Sequence, residues 1–227
     1  MRPVVYVMLG VAPFTALVMY LYFKNRYQRD FGGWLVKSFL AGAVSIVVLM
    51  AAEYLSMKLG LNSLQSLKRM TFYSFITIAA SSEFGKFLVF RYYIMTNKRI
   101  NRPIDAVTFA IMTSLGFSSI ALFLFVFNYA GIQANFPVTL YTLVFVPANV
   151  IFSVIMGFFI GMAKVLKARI MFSLTGLFGA VFFHGVFNFC MLTNDFKLLS
   201  LFSFGSTLIV LVLGLKAASS NPEPSGQ

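Results

Sequence analysis

Seven long apolar runs constrain this chain more than any other feature. They are Pro3–Phe23, Trp34–Leu55, Phe72–Met95, Asp105–Phe127, Val138–Ala163, Ile170–Leu192 and Phe196–Leu215. Each is long enough to cross about 30 Å of hydrocarbon as a helix. A bilayer offers no water to unpaired backbone groups, so a spanning segment must be a helix or a closed barrel. Barrel strands alternate apolar and polar residues, and these runs do not. The expected fold is therefore all-α: a polytopic transmembrane helical bundle of about seven spans. Composition agrees, with 59% hydrophobic and 11% charged residues, where a soluble domain is nearer a quarter charged.

Residues 1–216 read as a single transmembrane domain, and 217–227, rich in Ser and Pro, as a disordered cytoplasmic tail. The first run lacks the short apolar core and small-residue cleavage site of a signal peptide. The net charge of +12 raises the question of nucleic acid. Apart from Lys86, however, the basic residues flank the apolar runs, which is where membrane proteins keep them. No nucleic-acid partner is expected; membrane lipid is. The connections Lys24–Gly33, Arg91–Ile104 and Lys164–Arg169, with Lys37 and Lys216, hold most of the Lys and Arg. The positive-inside rule then puts the N-terminus outside and the C-terminus in the cytoplasm. The 58–69 connection reads as a short interfacial helix, because Leu61, Leu64 and Leu67 recur every three residues.

Ionisable groups inside spans are expensive, so they mark sites. Here they are Glu53, Glu83, Lys86 and His184. Counting 1.5 Å per residue from the cytoplasmic ends puts Glu83 about 18 Å deep, and Asn149 and His184 about 21 Å. Three separate spans thus place polar groups in one layer. Glu83 and Lys86 are three apart and can pair; His184 and Asn188 are four apart and share a face. Glu53 lies near an outer span end, within reach of the interface. Asp105, at a span's start, is placed to cap it. Gly157 and Gly161 form a small-xxx-small pattern of close helix packing. The single Cys190 and single His184 exclude internal disulfides, CxxC motifs and HExxH chemistry.

These residues resemble the PrsW-type glutamic intramembrane protease family, related to the CAAX prenyl endopeptidases. Ser82-Glu83-Phe84-Gly85-Lys86 is similar to its E-E-x-x-K segment. Pro103-Ile104-Asp105 followed by Leu115-Gly116-Phe117 is similar to its D-G-I/V…G-F segment, which normally continues F-x-x-x-E. Val146-Pro147-Ala148-Asn149 resembles a histidine-containing segment, and His184-Gly185-Val186-Phe187-Asn188-Phe189 matches H-G-x-x-N-F. The departures fall on the chemistry: Ser82 and Ala121 stand where the family has glutamates, and Asn149 where it has histidine.

The resemblance implies intramembrane peptide hydrolysis, with Glu83 as base, His184 as oxyanion donor and Asn188 orienting the histidine. Ser82, Lys86 and Asn149 would bind substrate or water. One carboxylate and one histidine make a poor donor set for zinc, so neither a metal nor another cofactor is expected. Losing members of a cooperating catalytic set costs orders of magnitude in rate. The favoured expectation is a catalytically degenerate homologue, or pseudoenzyme, that binds the transmembrane helix of a partner or substrate. An active endopeptidase is the alternative, and a transporter or channel the second alternative. The resemblance also favours a bacterial cytoplasmic membrane.

Overall fold

A computed structural model of the chain describes residues 9–26, 31–98, 100–127, 138–166 and 168–220. Every regular element among them is helical, as the apolar runs require. Helix α1 spans Val11–Arg26 and α2 Gly32–Lys58. A rod from 67 to 92 follows, made of α3 (Leu67–Phe72), a π-helical stretch Tyr73–Ala80, and α4 (Ser81–Tyr92). A 3₁₀ turn, Ile94–Thr96, leads on to α5 (Pro103–Val126). The chain ends in α6 (Val138–Val165), α7 (Arg169–Thr193) and α8 (Phe196–Ser219).

Among the described residues five helices are long and apolar enough to span a membrane: Gly32–Lys58, Pro103–Phe125, Leu143–Val165, Arg169–Thr193 and Phe196–Ser219. The 67–92 rod, about 39 Å long at 1.5 Å per residue, lies where the third run was expected. Of α1, the apolar part Val11–Phe23 is shorter; residues 1–8 of that expected span lie outside the described residues. The protein is thus an integral membrane protein.

Burial orders the bundle. In the hydrophobic stretches of α5 and α6, 72% and 67% of residues are buried, against 11% in α8. The first two form the centre, and α8 leans on the outside against α6 and α7. Glycines let the central helices touch. A Cβ added at Gly42 would overlap the Thr113 carbonyl, and one at Gly116 the Phe39 carbonyl, so α2 and α5 cross backbone to backbone. Gly157 and Gly161 do the same for α6, with an added Cβ 2.7 Å from Ala110 Cβ and 2.8 Å from Pro103 Cα. Such close approach is how helices associate where apolar burial gives no preference over lipid.

Two expectations about connections meet different fates. Residues 59–66 form turns rather than an interfacial helix. Gly60 takes a positive φ of 65°, which stops α2, and the Ser66 hydroxyl accepts from Arg69 N–H to start the next helix. The leucine spacing there spans the gap between two helices. Asp105 does act at a helix start: its carboxylate reaches back to the Arg102 backbone N–H at 3.3 Å and to the Arg102 guanidinium at 2.8 Å. At the other end, α8 runs to Ser219 with Ala217 buried, so the first residues assigned to the tail are helical; residues 221–227 lie outside the described residues.

Candidate functional site

The site grows from the 67–92 rod. Its π-helical stretch widens the backbone ring just before Glu83, a feature that is rare and costs hydrogen-bond geometry. The Ser81 hydroxyl donates to the Thr77 and Ile78 carbonyls where the wide turn returns to α-helix. The stretch packs on α7. Gly185 makes room there, since an added Cβ would overlap the Phe75 ring. On the opposite face, Gly85 lets α4 approach the Ser45 carbonyl of α2. Gly185 therefore sets how near the rod comes to α7, and Gly85 how near it comes to α2.

Glu83 and His184, from α4 and α7, meet: Nδ1 of His184 lies 2.6 Å from Oε1 of Glu83. The Lys86 ammonium is 2.7 Å from the same oxygen and donates to Oδ1 of Asn149, on α6, at 3.0 Å. The Asn149 amide in turn donates to the Phe145 carbonyl at 3.0 Å, and Ser114 of α5 donates to the Asn149 carbonyl at 2.9 Å. One network thus ties four rods together. Glu83, Lys86, Asn149 and His184 are each 2% exposed or less. An ion pair this deep survives only because each charge has a close partner. Lys86 also sits 4.9 Å from the centroid of the Phe117 ring, and the His184 ring stacks on Phe152 at 4.8 Å.

Three polar atoms of this layer have no hydrogen-bond partner: Oε2 of Glu83, Nε2 of His184 and Oγ of Ser82. In the neutral tautomer in which Nδ1 donates to the carboxylate, Nε2 carries the free lone pair. His184 and Ser82 line an apolar cavity of about 220 Å³. Phe117, Ala121 and Tyr141 form part of its wall, and exposed Met50 and Tyr54 of α2 stand at its lipid side. Glu83 does not line this space.

Asn188 is also buried, but its amide donates to the His184 backbone carbonyl at 3.1 Å. The imidazole itself is held by Glu83 and Phe152. Glu53, expected near the interface, is turned the other way. It is 6% exposed and lines the cavity with His184 and Ser82, rather than reaching the interface. Its spacing from Ile46, Leu49 and Met50 put it on the same stripe of α2, and that was the available signal.

The fold is that of a polytopic membrane protein, with a buried acid–histidine pair joining two of its helices beside an apolar cavity. Residues 32–215 match the family described as PrsW family intramembrane metalloprotease, and the chain belongs to it. Among its relatives, a protein named Protease PrsW from Oceanobacillus iheyensis is 30% identical over 219 residues, covering 93% of this chain and 95% of the relative. Proteins of the same name from Geobacillus kaustophilus and Bacillus subtilis are 27% and 24% identical, over 82% and 80% of this chain and 79% and 80% of their own. No solved structure matches the chain.

The family description implies a metal. A catalytic zinc usually takes three protein ligands and keeps one open position. Among the described residues no three His, Cys, Asp or Glu side chains converge. The inner layer offers one carboxylate and one imidazole, joined to each other, and the Lys86 ammonium occupies the same carboxylate oxygen. A cation there would face a fixed positive charge. These residues do not fit a metal.

Proposed function

We propose that this PrsW-family protein binds the transmembrane segment of a partner or substrate protein in the α2–α7 cavity and does not hydrolyse it. One observation carries the reading. The cavity wall around His184 presents Ser82 and Ala121, while the layer's carboxylate, Glu83, holds Lys86 and His184 behind it. Hydrolysis of an amide needs a base for water and a donor for the oxyanion. Glu83 is spent as the anchor of the network, so it is a poor base. The cavity instead offers apolar walls, with His184, Ser82 and the Glu53 carboxylate in its lining. That pattern suits an apolar helix carrying a hydroxyl or amide donor. Because exposed Met50 and Tyr54 stand at its lipid side, the occupant enters from the bilayer.

The orphaned Nε2 supports a second reading. A carboxylate on Nδ1 that fixes the tautomer and leaves Nε2 free is also how a histidine is prepared to take a proton from water. An active enzyme of this kind would use His184 as base and Glu83 to orient it. The location proposed with either reading is a bacterial cytoplasmic membrane, with the N-terminus outside and the C-terminus cytoplasmic.

The experiment reconstitutes the full chain with a fluorescent membrane-anchored peptide. Binding that Ala121→Trp abolishes by filling the cavity, with the peptide recovered intact, is the expected result. Cleavage by wild type that disappears in His184→Ala would replace the first reading by the second. Binding unaffected by Ala121→Trp in a normally folded variant would remove the cavity from both.

A further inference from the structure

A second polar pocket, of about 300 Å³, lies at the end of the bundle where α4 and α6 finish and α7 begins. Four cationic side chains line it: Arg91 at the end of α4, Lys98 beyond the 3₁₀ turn, Lys164 on α6 and Arg169 opening α7. No carboxylate lines it. Asp105 acts on Lys164 electrostatically, and its carboxylate is already paired with Arg102 at 2.8 Å. Lys164 donates to the backbone carbonyls of Asn97, at 3.2 Å, and Ile100. Those carbonyls fix the ammonium without cancelling its charge, and Arg91 and Arg169 lie within Coulombic range of it. Four cations around one pocket repel one another, and among the described lining residues no side chain offsets them.

Its surroundings say where the counter-charge comes from. Leu166, Ile170 and Met171, beside Lys164 and Arg169, are exposed apolar residues on helices that span the bilayer. Tyr92 and Tyr93 are exposed beside Arg91, and Trp34 lies 6.2 Å from Tyr93 with Lys37 over its ring. Aromatic and basic residues at a span end mark the headgroup level of a membrane. We propose that this pocket is a phosphate-binding site for the headgroup of an anionic phospholipid. Guanidinium groups from two rods would grip the phosphodiester oxygens, for which their fork geometry is suited. Acyl chains would then lie along the Ile170 and Met171 face. Binding would tie α4, α6 and α7 together at one end, with the Glu83 network joining the same three helices deeper in.

The full chain, purified in detergent and stripped of lipid, is titrated with dioctanoyl phosphatidylglycerol, dioctanoyl phosphatidylcholine and inorganic phosphate, with binding read by native mass spectrometry and melting. Phosphatidylglycerol is expected to bind at least about tenfold tighter than phosphatidylcholine, whose choline neutralises the phosphate. Arg91→Gln/Arg169→Gln should weaken phosphatidylglycerol about thirty-fold. Arg91→Lys/Arg169→Lys, which keeps the charge but loses the fork, should bind between wild type and the glutamine variant, and Lys216→Gln, another basic residue at a helix end, should change nothing. Phosphate that displaces the lipid at equal concentration would assign the same site to the free anion; failure to displace assigns it to the lipid. Equal binding of the two lipids by wild type overturns the proposal. So does wild-type affinity in an Arg91→Gln/Arg169→Gln protein that melts normally.

Discussion

The two polar regions of this bundle treat charge in opposite ways. Around Glu83, buried charge is paired within the bundle: one carboxylate and one ammonium, with an imidazole and an amide bonded to them. At the Arg91–Arg169 end, four cations share a pocket without an acid in its lining. In the first arrangement each charge has its counter-charge within the bundle, though Oε2 of Glu83 and Nε2 of His184 stay without a hydrogen-bond partner. The second, at the bundle's edge, is incomplete until an anion arrives. Depth explains the contrast. An uncompensated charge in the hydrocarbon centre costs several kcal/mol, whereas one at the interface keeps access to water and headgroups.

The contrast breaks most sharply at Glu83. Glu83→Leu strands the Lys86 ammonium in the core, and should cost about 3–5 kcal/mol. The double substitution Glu83→Leu/Lys86→Met should recover most of that, because a neutral apolar pair replaces a neutral ionic one. Unfolding in mixed micelles would measure both. If the single and double variants are equally unstable, the two charges are not the mutually compensating pair described. Asn149→Leu removes an acceptor of the ammonium and should cost about 2 kcal/mol in the same assay. Arg91→Gln/Arg169→Gln should move lipid-free stability by less than about 0.5 kcal/mol, since it deletes repelling surface charges. A large loss there would mean those arginines hold the fold rather than await a ligand.

How much of this was written in the sequence depends on which physics set each feature. The helical spans were legible because hydrocarbon thickness and helix rise fix their length. The same rise put Glu83, Asn149 and His184 at one depth, and the structure joins them through Lys86. Depth, however, carries no azimuth. Glu53, near a helix end, read as a residue that snorkels to water, yet α2 turns it inward to the cavity. The π-helical stretch that aims Glu83 has no composition signal, since Tyr73–Ala80 reads as ordinary apolar helix. Asn188 shares a face with His184, as counted, but bonds the backbone and not the ring. The basic pocket was visible only as charges in separate connections; their convergence is tertiary.

The claim on which the functional account rests is that Glu83 is locked as a structural anchor beside a cavity that binds a helix without cutting it. The most direct measurement is mass spectrometry of a membrane-anchored peptide after incubation with the reconstituted wild-type chain. The account predicts one intact peptide, retained with the protein and released by Ala121→Trp. New peptide termini made by wild type, and missing with His184→Ala, would contradict it.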